Sequence, residues 1–280
     1  MEEIRKLSIL MVVSLCMIVL VGCGQSSNEK PANTTETTET TETPAEGDGQ
    51  TINVFSAVSL TEALDEIKAS YDATNNTNIV YNYGGSGTLR QQIEEGAACD
   101  VFISAAENHV DTLEEAGELI EGSRVDLLNN VLVLAGKAEL EGYEGKDVKD
   151  ILIDPAIESI AVGEPETVPA GKYASQSFES FGITEEVTDK INYTKDVRQA
   201  LDFVDTGNTD VACVYKSDSL KLETGKVLGE FPEDSHDPIV YPMALIKDSE
   251  NQEAAEAFAE YLKTDEAMAI FEKHGFIQAK

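Results

Sequence analysis

The sequence predicts an α/β fold in which helices cover largely parallel sheets. From Thr51 onwards, short apolar runs alternate with longer segments of helical periodicity, a pattern that is typical of strands joined by crossover helices. Of the 280 residues, 41% are hydrophobic, a fraction that supplies an ordinary globular core. Composition leaves open whether this region forms one domain or two lobes.

The predicted strands are short apolar runs bounded by polar or small residues. Val101, Phe102 and Ile103 form such a run between Asp100 and Ser104. Runs of this length are typical of buried strands. In chain order the predicted strands are 52–55, 78–83, 101–104, 131–135, 159–162, 210–215 and 239–246.

The predicted helices are segments whose apolar residues recur every three or four positions. In the first of them Leu60, Leu64, Ile67 and Tyr71 fall on one face. The predicted helices are 60–71, 88–95, 197–204, 252–263 and 265–274.

The N-terminus predicts export. A short basic region at Arg5 and Lys6 precedes the apolar run 9–21, which is shorter than the roughly 20 residues that a membrane-spanning helix needs. The run ends in Gly22-Cys23, which resembles the lipobox of bacterial lipoproteins. That resemblance implies a signal peptide over residues 1–22, a lipid on Cys23, and membrane attachment through the lipid alone. An ordinary signal peptide with a chance cysteine is the alternative.

Residues 23–50 predict a disordered tether. They contain a Thr-Thr-Glu repeat and no Ile, Leu, Val or aromatic residue. A segment of this composition has nothing to bury in a core.

The charge balance argues against a nucleic-acid partner. The chain has 53 acidic and 20 basic residues, a formal net charge of -33, and would repel a phosphate backbone. A small anionic ligand stays possible because salt screens charges beyond about 8 Å. The three His residues are isolated, so no metal-site spacing exists. Cys99 and Cys213 border predicted strands; we expect two separate buried thiols, and a disulfide is the alternative.

Two Ser-bearing segments stand at predicted helix starts, where free backbone N–H groups and the helix dipole favour anions. Ser59 follows the first strand, and its spacing to Glu62 also fits a capping box. Ser86 lies in a glycine-rich run, Gly84-Gly85-Ser86-Gly87, whose backbone can approach a ligand closely. A plain N-cap and a flexible turn are the respective alternatives.

Three further segments share this character. Pro169 is placed for a helix start, with the small Ala170 after it. Asp196 predicts the cap of a helix that begins at Val197, and Tyr215 stands at a predicted strand end with its hydroxyl free to donate. Taken singly, each of the three fits an ordinary structural role.

Together the segments resemble the molybdate-binding proteins of ABC importers. The runs that carry the resemblance are VFSAVSLTEAL, YGGSGTLRQQIEEGAACDVFISA, GEPETVPAGKYA, KDVRQAL, VACVYKSD and FPEDSHDPIVYP. They occur in the family's order, and the resemblance covers residues 51–280.

The resemblance implies a two-lobed fold of the class II binding-protein type. Lobe 1 would comprise 51–130 and 241–280, lobe 2 would comprise 131–240, and the ligand would sit in the cleft. It implies no enzymatic activity, no cofactor and no directly coordinated metal. The oxyanion, molybdate or tungstate, would be held by neutral donors. These are Ser59, Ser86, Ala170, Val197 and Tyr215.

The resemblance also implies an extracytoplasmic monomer on the outer face of the membrane, with permease subunits as partners. The sequence departs from the family pattern at Lys172, which we expect to point to solvent, and at Gly85 and Gly87, which often are Ser. Alternatives are a receptor for another oxyanion such as sulfate, a structural lipoprotein, or a secreted hydrolase using Ser59 or Ser86. The hydrolase lacks a His motif for its base.

Overall fold

The computed structural model describes residues 50–72, 75–143 and 145–280. The predicted signal peptide, lipidation site Cys23 and tether lie outside these residues, apart from Gln50 at the tether's end. Within the described ranges, no helix combines the length and the apolar character needed to cross a bilayer.

Strands and helices alternate along the described chain. The strands are β1 (Gln50–Ala57), β2 (Thr77–Gly84), β3 (Val101–Ile103), β4 (Val125–Asn129), β5 (Leu132–Gly136), β6 (Ile160–Gly163), β7 (Ile191–Thr194), β8 (Val211–Tyr215), β9 (Lys226–Glu230), β10 (Val240–Leu245) and β11 (Ile277–Gln278). The helices are α1 (Thr61–Asp72), α2 (Ser86–Glu94), α3 (Glu107–Glu115), α4 (Val148–Ile153), α5 (Pro169–Phe181), α6 (Thr184–Thr188), α7 (Val197–Asp205), α8 (Lys216–Ser219), α9 (Gln252–Leu262) and α10 (Asp265–Lys273). Short 3₁₀ turns occupy Val58–Leu60 and Glu233–Ser235.

The strands form two sheets. One has six strands in the order β11-β4-β10-β3-β1-β2, and the other has five in the order β7-β6-β8-β5-β9. We call the first sheet with α1, α2, α3, α9 and α10 lobe 1, and the second with α4 to α8 lobe 2. The chain passes from β4 to β5 through Asn130 and Val131 alone, and it returns from β9 to β10 through residues 231–239.

Both sheets are mixed, whereas the sequence predicted mostly parallel ones. The trios β2-β1-β3 and β7-β6-β8 are parallel, but β10 runs antiparallel to β3, and β5 runs antiparallel to β8. The difference arises because β5 and β10 enter their sheets directly from the other lobe. A strand without a crossover helix before it has no constraint to run parallel to its neighbour.

Each predicted strand and helix coincides with an observed element. The buried face of α1 contains Leu64, Ile67 and Tyr71, as its periodicity predicted. The sequence missed α3, α4, α6, α8, β4, β7, β9 and β11. These elements are short or carry many polar residues, so their periodicity is weak.

Both cysteines of the described residues are buried. Cys99 and Cys213 are separate thiols, which confirms the expectation from sequence.

The loop between α8 and β9 is bonded to the end of α7. Asp205, the last residue of α7, accepts from the backbone N–H groups of Glu223 at 2.9 Å and of Thr224 and Gly225 at 2.8 Å. This carboxylate therefore holds the loop between α8 and β9 against α7.

Candidate functional site

One cavity lies where the two lobes meet, at the carboxyl ends of the parallel strands in both sheets. Such ends are where ligands bind in open α/β sheets. The cavity is narrow: about 10 Å³ of it is open to the centre of a water molecule. All five of the predicted ligand-binding residues line it: Ser59, Ser86, Ala170, Val197 and Tyr215. The fold thus brings together residues that are up to 156 positions apart, from Ser59 to Tyr215.

Ser86 is the first residue of α2, which begins two residues before the predicted start at 88. Its side chain is fully buried. The Ser86 hydroxyl oxygen accepts a hydrogen bond from the backbone N–H of Ala105 at 2.9 Å. Because its oxygen is already an acceptor, the hydroxyl can direct its own proton into the cavity.

Ser59 lies in the 3₁₀ turn before α1, and the capping box with Glu62 does not form. Its hydroxyl contacts Tyr241 rather than a backbone N–H of α1, and Glu62 pairs with Arg198 of lobe 2. The Ser59 hydroxyl is buried 3.0 Å from the hydroxyl of Tyr241. Instead of pairing with each other at the helix start, Glu62 contacts lobe 2 and Ser59 contacts the buried Tyr241 hydroxyl.

The first turn of α5 is held over the end of β6 by close backbone packing. Pro169 is the first helical residue, as predicted, and Ala170 follows with no exposed surface. A Cβ on Gly171 would lie 1.8 Å from the carbonyl oxygen of Gly163, so only glycine permits this approach. The N–H groups of Gly171 and Lys172 donate to the carbonyl oxygen of Val168, so the packing leaves the N–H of Ala170 free at the cavity.

Val197 begins α7 beside the cavity. The predicted cap forms, since the Asp196 carboxylate accepts from the backbone N–H of Gln199 at 2.8 Å. The cap therefore serves the third residue of the helix. The N–H of Val197 belongs to the first turn and has no acceptor within its helix.

Tyr215 ends β8 with its ring fully buried against the ring of Tyr241, in an edge-on contact with centroids 5.8 Å apart. The Tyr215 hydroxyl makes no hydrogen bond within normal geometry to any described residue. Burial, followed by the charge effect of Tyr241 close by, raises its pKa well above the ordinary value. The hydroxyl is therefore a protonated donor at neutral pH.

The cavity is neutral although the chain carries 53 acidic residues. Its lining residues all belong to the described chain, and none has a charged side chain. The three helices that begin there, α2, α5 and α7, have no acidic residue in their first turn. Each of the other α-helices in the described ranges has at least one. An acidic residue at a helix start neutralises the positive helix end, so α2 and α5 keep that end available to an anion. At α7 the Asp196 carboxylate caps the third residue, and the N–H of Val197 stays free.

Glycines at the start of α2 let the lobes touch beside the cavity. The backbone N–H of Gly87 donates to the carbonyl oxygen of Thr167 in lobe 2 at 2.9 Å. A Cβ on Gly87 would lie 2.6 Å from Thr167 Cα, and one on Gly85 would lie 2.9 Å from the Thr167 oxygen. These two departures from the family pattern therefore permit a direct contact between backbones.

Lys172 does not line the cavity. Its ammonium donates to the side-chain oxygen of Asn108 in lobe 1 at 3.3 Å and lies 3.7 Å from the carboxylate of Asp237. The side chain is therefore partly exposed rather than directed wholly to solvent, and the bond to Asn108 adds a second contact between the lobes.

A buried ion pair lies next to the site, and the sequence pattern did not predict it. The guanidinium of Arg198 lies 2.9 Å from the carboxylate of Asp218, which is fully buried next to Tyr215. Burial raises the pKa of Asp218 to about 7, against the opposing effect of Arg198. Arg198 also pairs with Glu62, so it joins both lobes. The only sequence signal was a charged residue inside each of two family motifs.

The serine hydroxyls have no catalytic partners. Ser59 is bonded to a tyrosine hydroxyl and Ser86 to a backbone N–H, so neither has a general base. Within the described residues, no group of three or more His, Cys, Asp or Glu side chains is arranged to hold a metal ion.

A family model described as bacterial extracellular solute-binding protein matches residues 52–277. The chain belongs to this family. It is an extracellular solute-binding protein rather than an enzyme, and the two-lobed α/β fold predicted from sequence is confirmed.

Individual relatives extend the comparison. YvgL of Bacillus subtilis, named as an ABC transporter substrate-binding lipoprotein, is 35% identical over 97% of this chain and 98% of its own. The molybdate-binding protein ModA of Escherichia coli is 35% identical over 80% of this chain and 88% of its own. A solved structure described as the substrate-binding domain of a molybdenum ABC transporter from Clostridium difficile is 38% identical. It covers 83% of this chain and 100% of its own, with a TM-score of 0.65.

Proposed function

We propose that this solute-binding protein delivers molybdate to the permease subunits of an ABC importer. The observation that carries the proposal is the neutral cavity between the lobes, lined by hydroxyls, helix starts and small or apolar residues, with no charged side chain. ModA of Escherichia coli, which is 35% identical to this chain over the aligned residues, is named for molybdate binding.

In the proposed site the oxyanion receives hydrogen bonds from Ser59, Ser86, Ala170, Val197 and Tyr215. Hydroxyls and free backbone N–H groups give charge-assisted bonds to an anion, each about twice as strong as a neutral one. Donors from both lobes would bind the same anion, so binding would favour closure of the cleft. Tungstate has the same charge and nearly the same size, and we propose that it binds as well. The ligand needs no cofactor.

We further propose the arrangement of the chain at the membrane. Cys23 carries a lipid, 23–50 tether the protein outside the cytoplasmic membrane, and it works as a monomer. Closure rotates a lobe of 51–130 with 241–280 against one of 131–240. YvgL, a relative over almost the whole chain, is named a lipoprotein, which supports the anchor.

The backbone donor of Val197 offers a sharp test. In the Val197→Pro variant the ring removes one N–H at the first helical position, where proline is best tolerated. The preceding Asp196 is already extended, as a residue before proline prefers. We expect molybdate binding by the full-length chain to weaken about tenfold or more, the loss of one charge-assisted hydrogen bond.

The matched control is Val148→Pro. Val148 is a buried valine that begins α4 directly after an extended Asp147, whose carboxylate caps the helix by accepting from the N–H of Lys149. Calorimetric titration with molybdate, tungstate and sulfate should show tight binding of the first two and weak binding of sulfate, with Val148→Pro unchanged. No heat with any of these anions, or equal affinities for the two variants, would contradict the proposed site.

A further inference from the structure

A chain of buried hydrogen bonds runs from the link between the lobes to the cavity. Asn130, in that link, is 3.2 Å from the hydroxyl of Tyr241 through its amide nitrogen, and that hydroxyl is 3.0 Å from the hydroxyl of Ser59. All three side chains are buried. Only Ser59 lines the cavity, so the other two act on a ligand solely through it.

The amide of Asn130 has a fixed orientation. Its oxygen accepts from the backbone N–H of Val131 at 2.9 Å, which turns the nitrogen toward Tyr241 and toward Ser217 at 2.8 Å. An amide nitrogen can only donate. Its two protons therefore go to the Tyr241 and Ser217 hydroxyl oxygens.

This orientation of the Asn130 amide determines which hydroxyl donates and which accepts along the series of hydrogen bonds. Because the Tyr241 oxygen accepts from Asn130, its single proton is available to Ser59. The Ser59 oxygen then accepts, and its own proton remains for the cavity. The same logic holds at Ser86, whose oxygen accepts from the N–H of Ala105.

We propose that Asn130 is a positioning residue that determines specificity: by polarising the chain through Tyr241, it holds Ser59 as a donor toward the ligand. This inference rests on the proposed oxyanion site and deepens it. A cavity that presents only donors accepts a fully deprotonated oxyanion. It rejects one that carries a hydrogen, because that hydrogen finds no acceptor and stays unpaired.

The test reverses the direction of these hydrogen bonds with the variant Asn130→Asp in the full-length protein. A carboxylate accepts from Tyr241, the Tyr241 oxygen then accepts from Ser59, and Ser59 presents a lone pair to the cavity. At pH 8, we expect affinity for molybdate to fall about tenfold or more, while the ratio of molybdate to hydrogen phosphate affinity falls at least as much. Asn129→Asp is the matched control, since it adds the same charge one residue earlier, at the end of β4.

The hydroxyl deletion Tyr241→Phe provides a second variant that keeps the ring in its contacts with Tyr215 and Phe276. It should narrow the same affinity ratio about threefold or more, the value of one neutral hydrogen bond. When Tyr241→Phe is already present, adding Asn130→Asp should change the ratio of molybdate to hydrogen phosphate affinity no more than adding Asn129→Asp does. The reason is that the hydrogen bond from Tyr241 to Ser59 has been removed.

The outcomes distinguish the proposed oxyanion site from the proposed positioning role of Asn130. If the unmodified chain binds no oxyanion, the proposed function fails and this inference fails with it. If it binds molybdate but Tyr241→Phe and Asn130→Asp keep its selectivity, the cavity is a site and the polarised chain is wrong. A purely structural role for Asn130 would lower the melting temperature and leave the affinity ratio unchanged.

Discussion

Removing the Tyr215 hydroxyl should separate binding from stability. The hydroxyl is buried and has no hydrogen-bond partner of normal geometry among the described residues, while the ring is packed edge-on against Tyr241. A buried polar group without a partner is unfavourable by about 1–3 kcal/mol. Tyr215→Phe keeps the ring and removes that penalty, so the free energy of unfolding without ligand should stay the same or rise.

Ligand binding should change in the opposite direction. A hydrogen bond to a charged group contributes about 1.5–3 kcal/mol, so losing the Tyr215 donor should weaken molybdate binding about 10- to 150-fold. Calorimetric titration of the full-length chain measures this loss. The matched control is Tyr81→Phe, which deletes a hydroxyl bonded to the backbone of Leu64 at 3.0 Å, away from the cavity.

Ser86→Ala gives the contrasting result. It removes the acceptor of the Ala105 N–H and should therefore lower stability by about 1–3 kcal/mol as well as weaken binding. Because the chain contains no tryptophan, urea unfolding is best followed by circular dichroism. The reasoning is refuted if Tyr215→Phe lowers stability as much as Ser86→Ala does, or binds molybdate as tightly as the unmodified chain.

Three further predictions concern closure and charge. Gly87→Val should weaken molybdate binding about tenfold or more, because its Cβ would lie 2.6 Å from Thr167 Cα and would hold the two lobes apart. Calorimetric titration should show the weaker binding, and X-ray scattering should show a cleft that stays open. An unchanged affinity for molybdate would contradict this prediction. Arg198→Met should lower the free energy of unfolding by about 3–5 kcal/mol at pH 8 and by less at pH 5. The reason is that the pKa of Asp218 is raised to about 7, so this carboxylate takes up a proton at the lower pH. Equal losses of stability in urea unfolding at both pH values would contradict this prediction. Backbone donors lower the pKa of Asp205 to about 2 from 3.8, against the opposing effect of burial, so its stabilisation is present above about pH 4 and lost as the pH falls through 2. Asp205→Asn should accordingly reduce stability at pH 7 and make no difference below pH 2, and a pH-independent deficit in acid titration would exclude this role.

The sequence by itself determined the parts of this protein that depend on neighbouring residues. The periodicity of α1, the Asp196 cap and Pro169 at the start of α5 follow from local backbone chemistry, and each is observed. Local patterns also placed the candidate segments at helix starts and a strand end, whereas the choice of the five donors follows from the resemblance to the molybdate-binding proteins. That they are ligand contacts stays a prediction.

Only the tertiary structure decided which distant groups meet. The partner of Ser59 is Tyr241, 182 residues away, and the partner of Glu62 is Arg198, 136 residues away. The antiparallel placement of β5 and β10 depends on where the chain crosses between lobes. No local pattern specifies such pairs, because they are selected by the topology that buries them together. The direction of the hydrogen-bond chain from Asn130 likewise follows from the fold.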